Sequence, residues 1–120
     1  MGEFLRDSGY VVWEAENPFL ALEILEREWP IDLLIADYAM PEMNGLAVID
    51  RAQAHYHGLR VLLMSGHADI LQAGGVSGIP LLTKPFKVAE LKKRIAETLQ
   101  ASSSDVRVGR PKSRLLAISS

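Results

Sequence analysis

Three polar side chains at the ends of apolar segments have the chemistry of a phosphoryl-accepting site. Asp37 and Ser65 each come directly after a short apolar run, and Lys84 follows the predicted strand at residues 80–83. A carboxylate can attack a phosphorus centre and carry the phosphoryl group as an acyl phosphate. A hydroxyl can donate to the phosphoryl oxygens, and an ammonium group can balance their charge. Each residue also has a simpler explanation, because Asp37 and Ser65 could cap a loop or helix and Lys84 could be solvated in a turn.

The elements that would position these residues alternate along the chain. An apolar run such as residues 33–36 is typical of a strand buried on both faces of a parallel sheet. Strands that alternate with helices predict an α/β fold with helices on both faces of the sheet. Such sheets place their chemistry at the carboxyl ends of the strands, where Asp37 falls. The predicted strands are residues 10–14, 33–36, 60–64 and 80–83, and the predicted helices are residues 3–8, 18–29, 46–55, 68–73 and 88–99.

Two helix boundaries carry specific signals. Gly9 suits the left-handed position after a helix, so it predicts the end of the first helix. Asn17 and Pro18 are a good N-cap and a good first helical residue, so they predict the start of the second.

Composition limits the classes of protein. The chain has 120 residues, 48% of them apolar, and a net charge of −2. It is long enough for one packed core, and its charge gives no general attraction to nucleic acid or to anionic membranes. It contains no cysteine, which excludes disulfides and thiolate metal sites. No apolar run approaches the ~20 residues of a membrane span, and no signal-peptide pattern opens the chain, so we expect a cytoplasmic protein.

Three motifs occur in the same order and spacing as in a known family. They are Asp37 with Met40, Pro41, Met43 and Gly45; residues 61–66, VLLMSG; and residues 81–86, LLTKPF. Together they closely resemble the motifs of response-regulator receiver domains, and the resemblance extends over about residues 3–99.

The resemblance implies a fold, a function and roles for residues. The fold is a flavodoxin-like, doubly wound parallel sheet with strand order 2-1-3-4-5. The function is to accept a phosphoryl group on Asp37 from a sensor histidine kinase or a phosphotransfer protein, as a signalling module and not an enzyme. Lys84 would be the cationic partner of Asp37, with a cis bond to Pro85, and Ser65 would contact the phosphoryl group.

The sequence departs from the family at three points. The first strand and the two acids at its end are missing from the N-terminus. The Mg²⁺ site is therefore reduced to Asp37 and the backbone carbonyl of Ala39, which predicts weak or impaired Mg²⁺ binding. Glu14 and Glu16 end a neighbouring strand, but we expect them to be solvated. Leu81 stands where the family usually has an aromatic switch residue, and receivers fused to histidine kinases often share this change.

The C-terminal segment offers a replacement for the missing strand. We divide the chain into a receiver domain over residues 1–100 and a linker and tail over residues 101–120. The apolar run after Arg114 predicts a strand at residues 114–119 that could fill the empty position in the sheet, either within one chain or by exchange in a homodimer. Right-handed crossover geometry permits this insertion. The alternative is a disordered tail, which the sequence slightly favours.

Other functions remain as alternatives. A pseudo-receiver with the same fold would act through protein contacts, with weak or no phosphorylation. An aspartate-nucleophile phosphatase needs a second acid two residues after the nucleophile, where this chain has Ala39. Residues 108–112 partly match an AT-hook, a minor-groove binder, but without its flanking repeats. The histidines at positions 55, 57 and 67 do not have metal-ligand spacing.

Overall fold

In the part of the chain that the structure describes, the fold is built from five strands and four helices. The computed structural model describes residues 2–39, 43–66, 79–100 and 113–118. The elements are α1 Gly2–Asp7, β1 Val11–Ala15, α2 Pro18–Glu28, β2 Leu33–Asp37, α3 Gly45–His55, β3 Arg60–Ser65, β4 Leu81–Thr83, α4 Val88–Gln100 and β5 Arg114–Ile118. The strands differ from the predicted ones by a residue or so at their ends. The short helix predicted at residues 68–73 lies outside the described residues.

All five strands form one parallel sheet in the order β1-β5-β2-β3-β4. The last strand of the chain lies between β1 and β2 and pairs with both. It occupies the position that the first strand of a 2-1-3-4-5 sheet would take, which confirms the predicted replacement. The slightly favoured alternative of a disordered tail is wrong for residues 114–118, because two open strand edges and two apolar faces are available to this run.

The helices cover both faces of the sheet and divide the core in two. Residues of α2 and α3, including Leu25 and Ile49, pack with alternate strand residues on one face. Leu5 of α1 and Leu91 and Ile95 of α4 pack with the other strand residues on the opposite face. The arrangement is the doubly wound α/β fold predicted from the alternation of elements.

Local signals set the helix ends. Gly9 follows α1 with a φ of 97°, and Asn17 caps α2 by accepting a hydrogen bond from the backbone N–H of Leu20 at 2.8 Å. The helix predicted from residue 46 begins at Gly45, because Asn44 accepts from the N–H of Ala47 at 2.9 Å and acts as its N-cap. Within the described residues, every helix is too short or too polar to cross a membrane.

The buried position of β5 predicts a large effect of truncating its side chains. Leu116 is fully buried among side chains of both helices and strands. Leu116→Ala should lower the free energy of unfolding by about 2–5 kcal/mol, because it leaves a cavity in the core. Chemical denaturation followed by circular dichroism measures this change.

Phe19→Ala is the matched control, since Phe19 is 57% exposed on α2. It removes a larger side chain but should cost less than about 1 kcal/mol. Equal losses for the two variants would mean that β5 is not part of the core in solution.

Candidate functional site

Asp37 ends β2 with both carboxylate oxygens in contact with donors. Its Oδ1 accepts a hydrogen bond from the backbone N–H of Ala39 at 3.2 Å. Its Oδ2 lies 2.6 Å from Nζ of Lys84, in a charge-assisted hydrogen bond. The Asp37 side chain is only 13% exposed, whereas that of Lys84 is 41% exposed. The carboxylate is therefore fixed in orientation but can be approached from the lysine side.

The backbone places Lys84 at this edge of the sheet. Its N–H donates to the carbonyl oxygen of Ser65 at 2.9 Å, which continues the pairing of β3 and β4 by one residue. The peptide bond between Lys84 and Pro85 is cis, as the resemblance implied. Thr83 pairs in register with Ser65, so Lys84 lies one residue beyond the end of β3, which separates β4 from β2 and Asp37.

Ser65 is the last residue of β3 and completes the cluster. Its neighbour Met64 pairs in register with Asp37, so Ser65 lies one residue beyond the acid on the adjacent strand. It is almost fully buried, and its hydroxyl donates to the carbonyl oxygen of Gly66 at 3.4 Å. All three residues singled out in the sequence thus meet at the carboxyl edge of the parallel sheet.

Gly45 packs directly beneath the candidate site. A Cβ atom at this position would lie 2.7 Å from the carbonyl oxygen of Asp37 and 2.7 Å from Cδ1 of Leu63. Its N–H donates to the carbonyl of Tyr38 at 3.0 Å, which ties the start of α3 to the end of β2. In the sequence, Gly45 was identified only as part of the motif that follows Asp37, because the close approach depends on how α3 packs against the sheet.

The described residues do not fit the Mg²⁺ site of the family. They contain no group of three or more His, Cys, Asp or Glu side chains that could hold a metal ion. Asp37 offers one carboxylate, already bonded to Lys84, and Ala39 offers one carbonyl oxygen. A hard dication takes oxygen ligands, preferably charged ones, and this donor set supplies few.

The other residues considered in the sequence do not join the site within the part of the chain that the structure describes. Glu14 is exposed and pairs with Arg6 at 3.2 Å, and Glu16 is also exposed, as expected for solvated acids. His55 and His57 are exposed at and just after the end of α3. The positions of His67 and of residues 40–42 lie outside the described residues.

Sequence reasoning missed Asp32, which precedes β2 and is only 2% exposed. Its Oδ2 accepts a hydrogen bond from the backbone N–H of Arg114 at 2.7 Å. An acid directly before a buried strand was the available signal, but its partner lies 82 residues away in the chain.

The chain matches a family model over most of its length. The model of the response regulator receiver domain matches residues 1–96. This chain belongs to the receiver domain family. Receiver domains are signalling modules of two-component systems, in which a phosphoacceptor role, Mg²⁺ binding, and interaction with histidine kinases or phosphotransfer proteins are general.

Individual relatives agree with the family assignment. The chain is 28% identical to sporulation initiation phosphotransferase F of Bacillus subtilis over 107 residues, which cover 87% of this chain and 86% of that protein. It is 29% identical to sensor kinase CckA of Brucella abortus over 80% of this chain but only 11% of that protein. A crystal structure of a response regulator receiver protein from Sinorhizobium medicae superposes with a TM-score of 0.69 at 28% identity, covering 81% of this chain and 80% of that one.

The close packing of Gly45 against Asp37 predicts that a larger residue at position 45 destabilises the protein. Gly45→Ala should lower the free energy of unfolding by about 1–3 kcal/mol, because the added methyl group meets a backbone carbonyl that cannot move without shifting β2. Helix propensity alone would favour alanine by up to about 1 kcal/mol, so the sign of the change decides between the two effects. Urea denaturation gives that sign, and an unchanged or increased stability would contradict the close packing.

Proposed function

We propose that this receiver domain accepts a phosphoryl group on Asp37 from a histidine kinase or a phosphotransfer protein. The observation that carries the proposal is the 2.6 Å contact between Nζ of Lys84 and Oδ2 of Asp37. The two residues are 47 positions apart in the chain, and a protein that used Asp37 only as a loop cap would not need a cation in contact with its carboxylate. The proposal includes a cytoplasmic location, where the phosphodonors of two-component systems act.

The proposed step is a phosphoryl transfer between two side chains. A carboxylate oxygen of Asp37 attacks the phosphorus of a phosphohistidine, a P–O bond forms, and the P–N bond breaks. The imidazole leaves with the bonding electron pair and takes up a proton, and Asp37 becomes an acyl phosphate. The chain is the acceptor in this step, so we propose a signalling role and not an enzymatic one.

Lys84 and Ser65 would act on the phosphoryl oxygens. The ammonium group of Lys84 is already beside the attacked carboxylate, so it can balance the negative charge that arrives with the phosphoryl group. Ser65 lies on the neighbouring strand end, and its hydroxyl would exchange the weak bond to Gly66 for a phosphoryl oxygen. These roles rest on the geometry of the strand ends and on the family motifs that the residues match.

A pseudo-receiver is the second candidate, and one observation favours it. In the described part of the chain, the acids that would complete a Mg²⁺ site are not gathered around Asp37. Such a protein would keep the fold and recognise the same class of partner through surface contacts. Phosphorylation of the purified protein separates the two functions.

Incubation with a small phosphodonor and Mg²⁺ should add one phosphoryl group to Asp37. We expect a mass gain of about 80 Da in the intact protein, and Asp37→Asn should abolish it. Asp50→Asn is the control, because Asp50 is an exposed acid on α3 and its loss should leave the gain unchanged. No gain in the unaltered protein would favour the pseudo-receiver, and a gain that survives in Asp37→Asn would refute the assignment of the acceptor.

Mg²⁺ should bind weakly. Millimolar Mg²⁺ should raise the melting temperature by no more than about 2 °C, because a ligand at or below its Kd adds at most ~0.4 kcal/mol to stability. Differential scanning fluorimetry measures the shift, and a receiver domain that carries the acidic pair serves as the positive control. Saturable binding at micromolar Mg²⁺ would show that other acids of this chain complete the site.

A further inference from the structure

The central strand of the sheet is the last described element of the chain and comes from outside the family match. The family model ends at residue 96, whereas β5 spans Arg114–Ile118. Residues 101–112 join it to α4. The other strands and the helices of the described residues therefore lie within residues 2–100, and β5 enters between two of those strands from a separate segment.

The gap that β5 fills is lined on both sides and on both faces. Five residues of β1 and four of β2 pair with it in parallel register. Leu115 and Ala117 enter the core on one face, and Leu116 and Ile118 enter the core on the other. All four side chains are at most 5% exposed. The surrounding residues therefore select both the direction of the strand and the size of its side chains.

The first residue of β5 makes the polar contacts. The N–H of Arg114 donates to Oδ2 of Asp32 at 2.7 Å, and its carbonyl accepts from the N–H of Asp32 at 2.8 Å. Its guanidinium group donates to the carbonyl oxygens of Pro30 and Glu28, each at 2.7 Å. The same group lies 4.5 Å from the centre of the Trp13 ring, in a cation–π contact. Each of these partners lies within residues 2–100, which are called the body of the protein below.

We propose that the gap between β1 and β2, here called the strand slot, is a binding site for an extended peptide. The ligand of the strand slot is a parallel strand in which an arginine is followed by four residues whose side chains fit the two core faces. In this chain the ligand is residues 113–118, which are covalently tethered to the rest of the protein. The recognition is β-strand addition, with main-chain pairing for affinity and side-chain pockets for selectivity. The site is separate from Asp37 and does not depend on phosphorylation.

Tethering explains why the slot would not take free peptide in the intact chain. A covalent connection of about twelve residues gives a tethered ligand an effective concentration in the millimolar range, so the chain's own strand excludes a peptide present at micromolar concentration. Cutting the linker removes that advantage but leaves every contact of β5 available. The same strand should then bind as a separate molecule.

The test uses the full chain with a specific protease site inserted within residues 101–112. After the folded protein is cut, the two pieces should remain together at a one-to-one ratio in native mass spectrometry. A dye-labelled peptide of residues 105–120 in excess should replace the cut segment and saturate at one peptide per body, measured by fluorescence anisotropy. If exchange is slow, the cut protein can be unfolded and refolded together with labelled peptide. The fraction of strand slots that hold labelled peptide should then equal the labelled fraction of all peptide and cut segment present.

Two peptide variants test selectivity. An Arg114→Ala peptide should bind at least tenfold more weakly, because it loses the contacts to Pro30, Glu28 and Trp13. An Arg107→Ala peptide removes the same charge from a position before the strand and should bind like the unaltered peptide.

Three results would overturn the proposal. The first is a cut protein that releases the segment and melts at the same temperature as before. The second is failure of labelled peptide to incorporate even after refolding. The third is equal binding of the unaltered, Arg114→Ala and scrambled peptides, which would show non-specific apolar association.

Discussion

The backbone edges of β1 and β2 face each other across a gap one strand wide, and β5 closes that gap by pairing with both. An unfilled gap would leave a row of buried N–H and C=O groups on each edge without partners, at a cost of about 1–3 kcal/mol for each group. It would also leave α1 and β1 with no hydrogen-bonded connection to the rest of the sheet. The requirement to satisfy these edges makes residues 114–118 part of the fold even though they lie outside the region that the family model matches.

The candidate site depends on the same strand. Asp37 stands at the end of β2, and β2 is held by β3 on one side and by β5 on the other. Lys84 reaches the acid from the β4 side of the sheet, where its backbone bonds to Ser65. The β5 strand therefore holds one edge of β2, the strand that ends in Asp37. On the other side of β2, β3 positions Lys84 through its bond to Ser65.

Replacing the first strand of a receiver with a C-terminal one also changes the chemistry at the sheet edge. Ala36 pairs with Ile118, so the chain leaves β5 next to the strand that ends in Asp37. Ser119 and Ser120 follow Ile118 in the sequence, and neither carries a carboxylate side chain. The replacement restores the backbone pairing of the sheet, whereas residues 114–118 bring no carboxylate of their own to the strand next to β2.

Local patterns in the sequence were sufficient for most of the fold and for the three candidate site residues. Helix stops and caps such as Gly9 and Asn17 act within one turn of the chain, and strand ends follow from where apolar runs stop. The parallel sheet brought Asp37, Ser65 and Lys84 to one edge because each residue ends or follows a strand. These features were predictable since their causes lie within a few residues of where they act.

The tertiary structure alone decided the place of the tail strand and the contacts that hold it. An apolar run of four residues fits any buried strand position, and the sequence by itself slightly favoured a disordered tail over an inserted strand. The choice rests on the pairing of Arg114 with Asp32, 82 residues away, and on two open edges that exist only once the other strands are assembled. The close packing of Gly45 against Asp37 has the same origin, because it arises from the approach of a helix to a sheet and not from any pattern within either one.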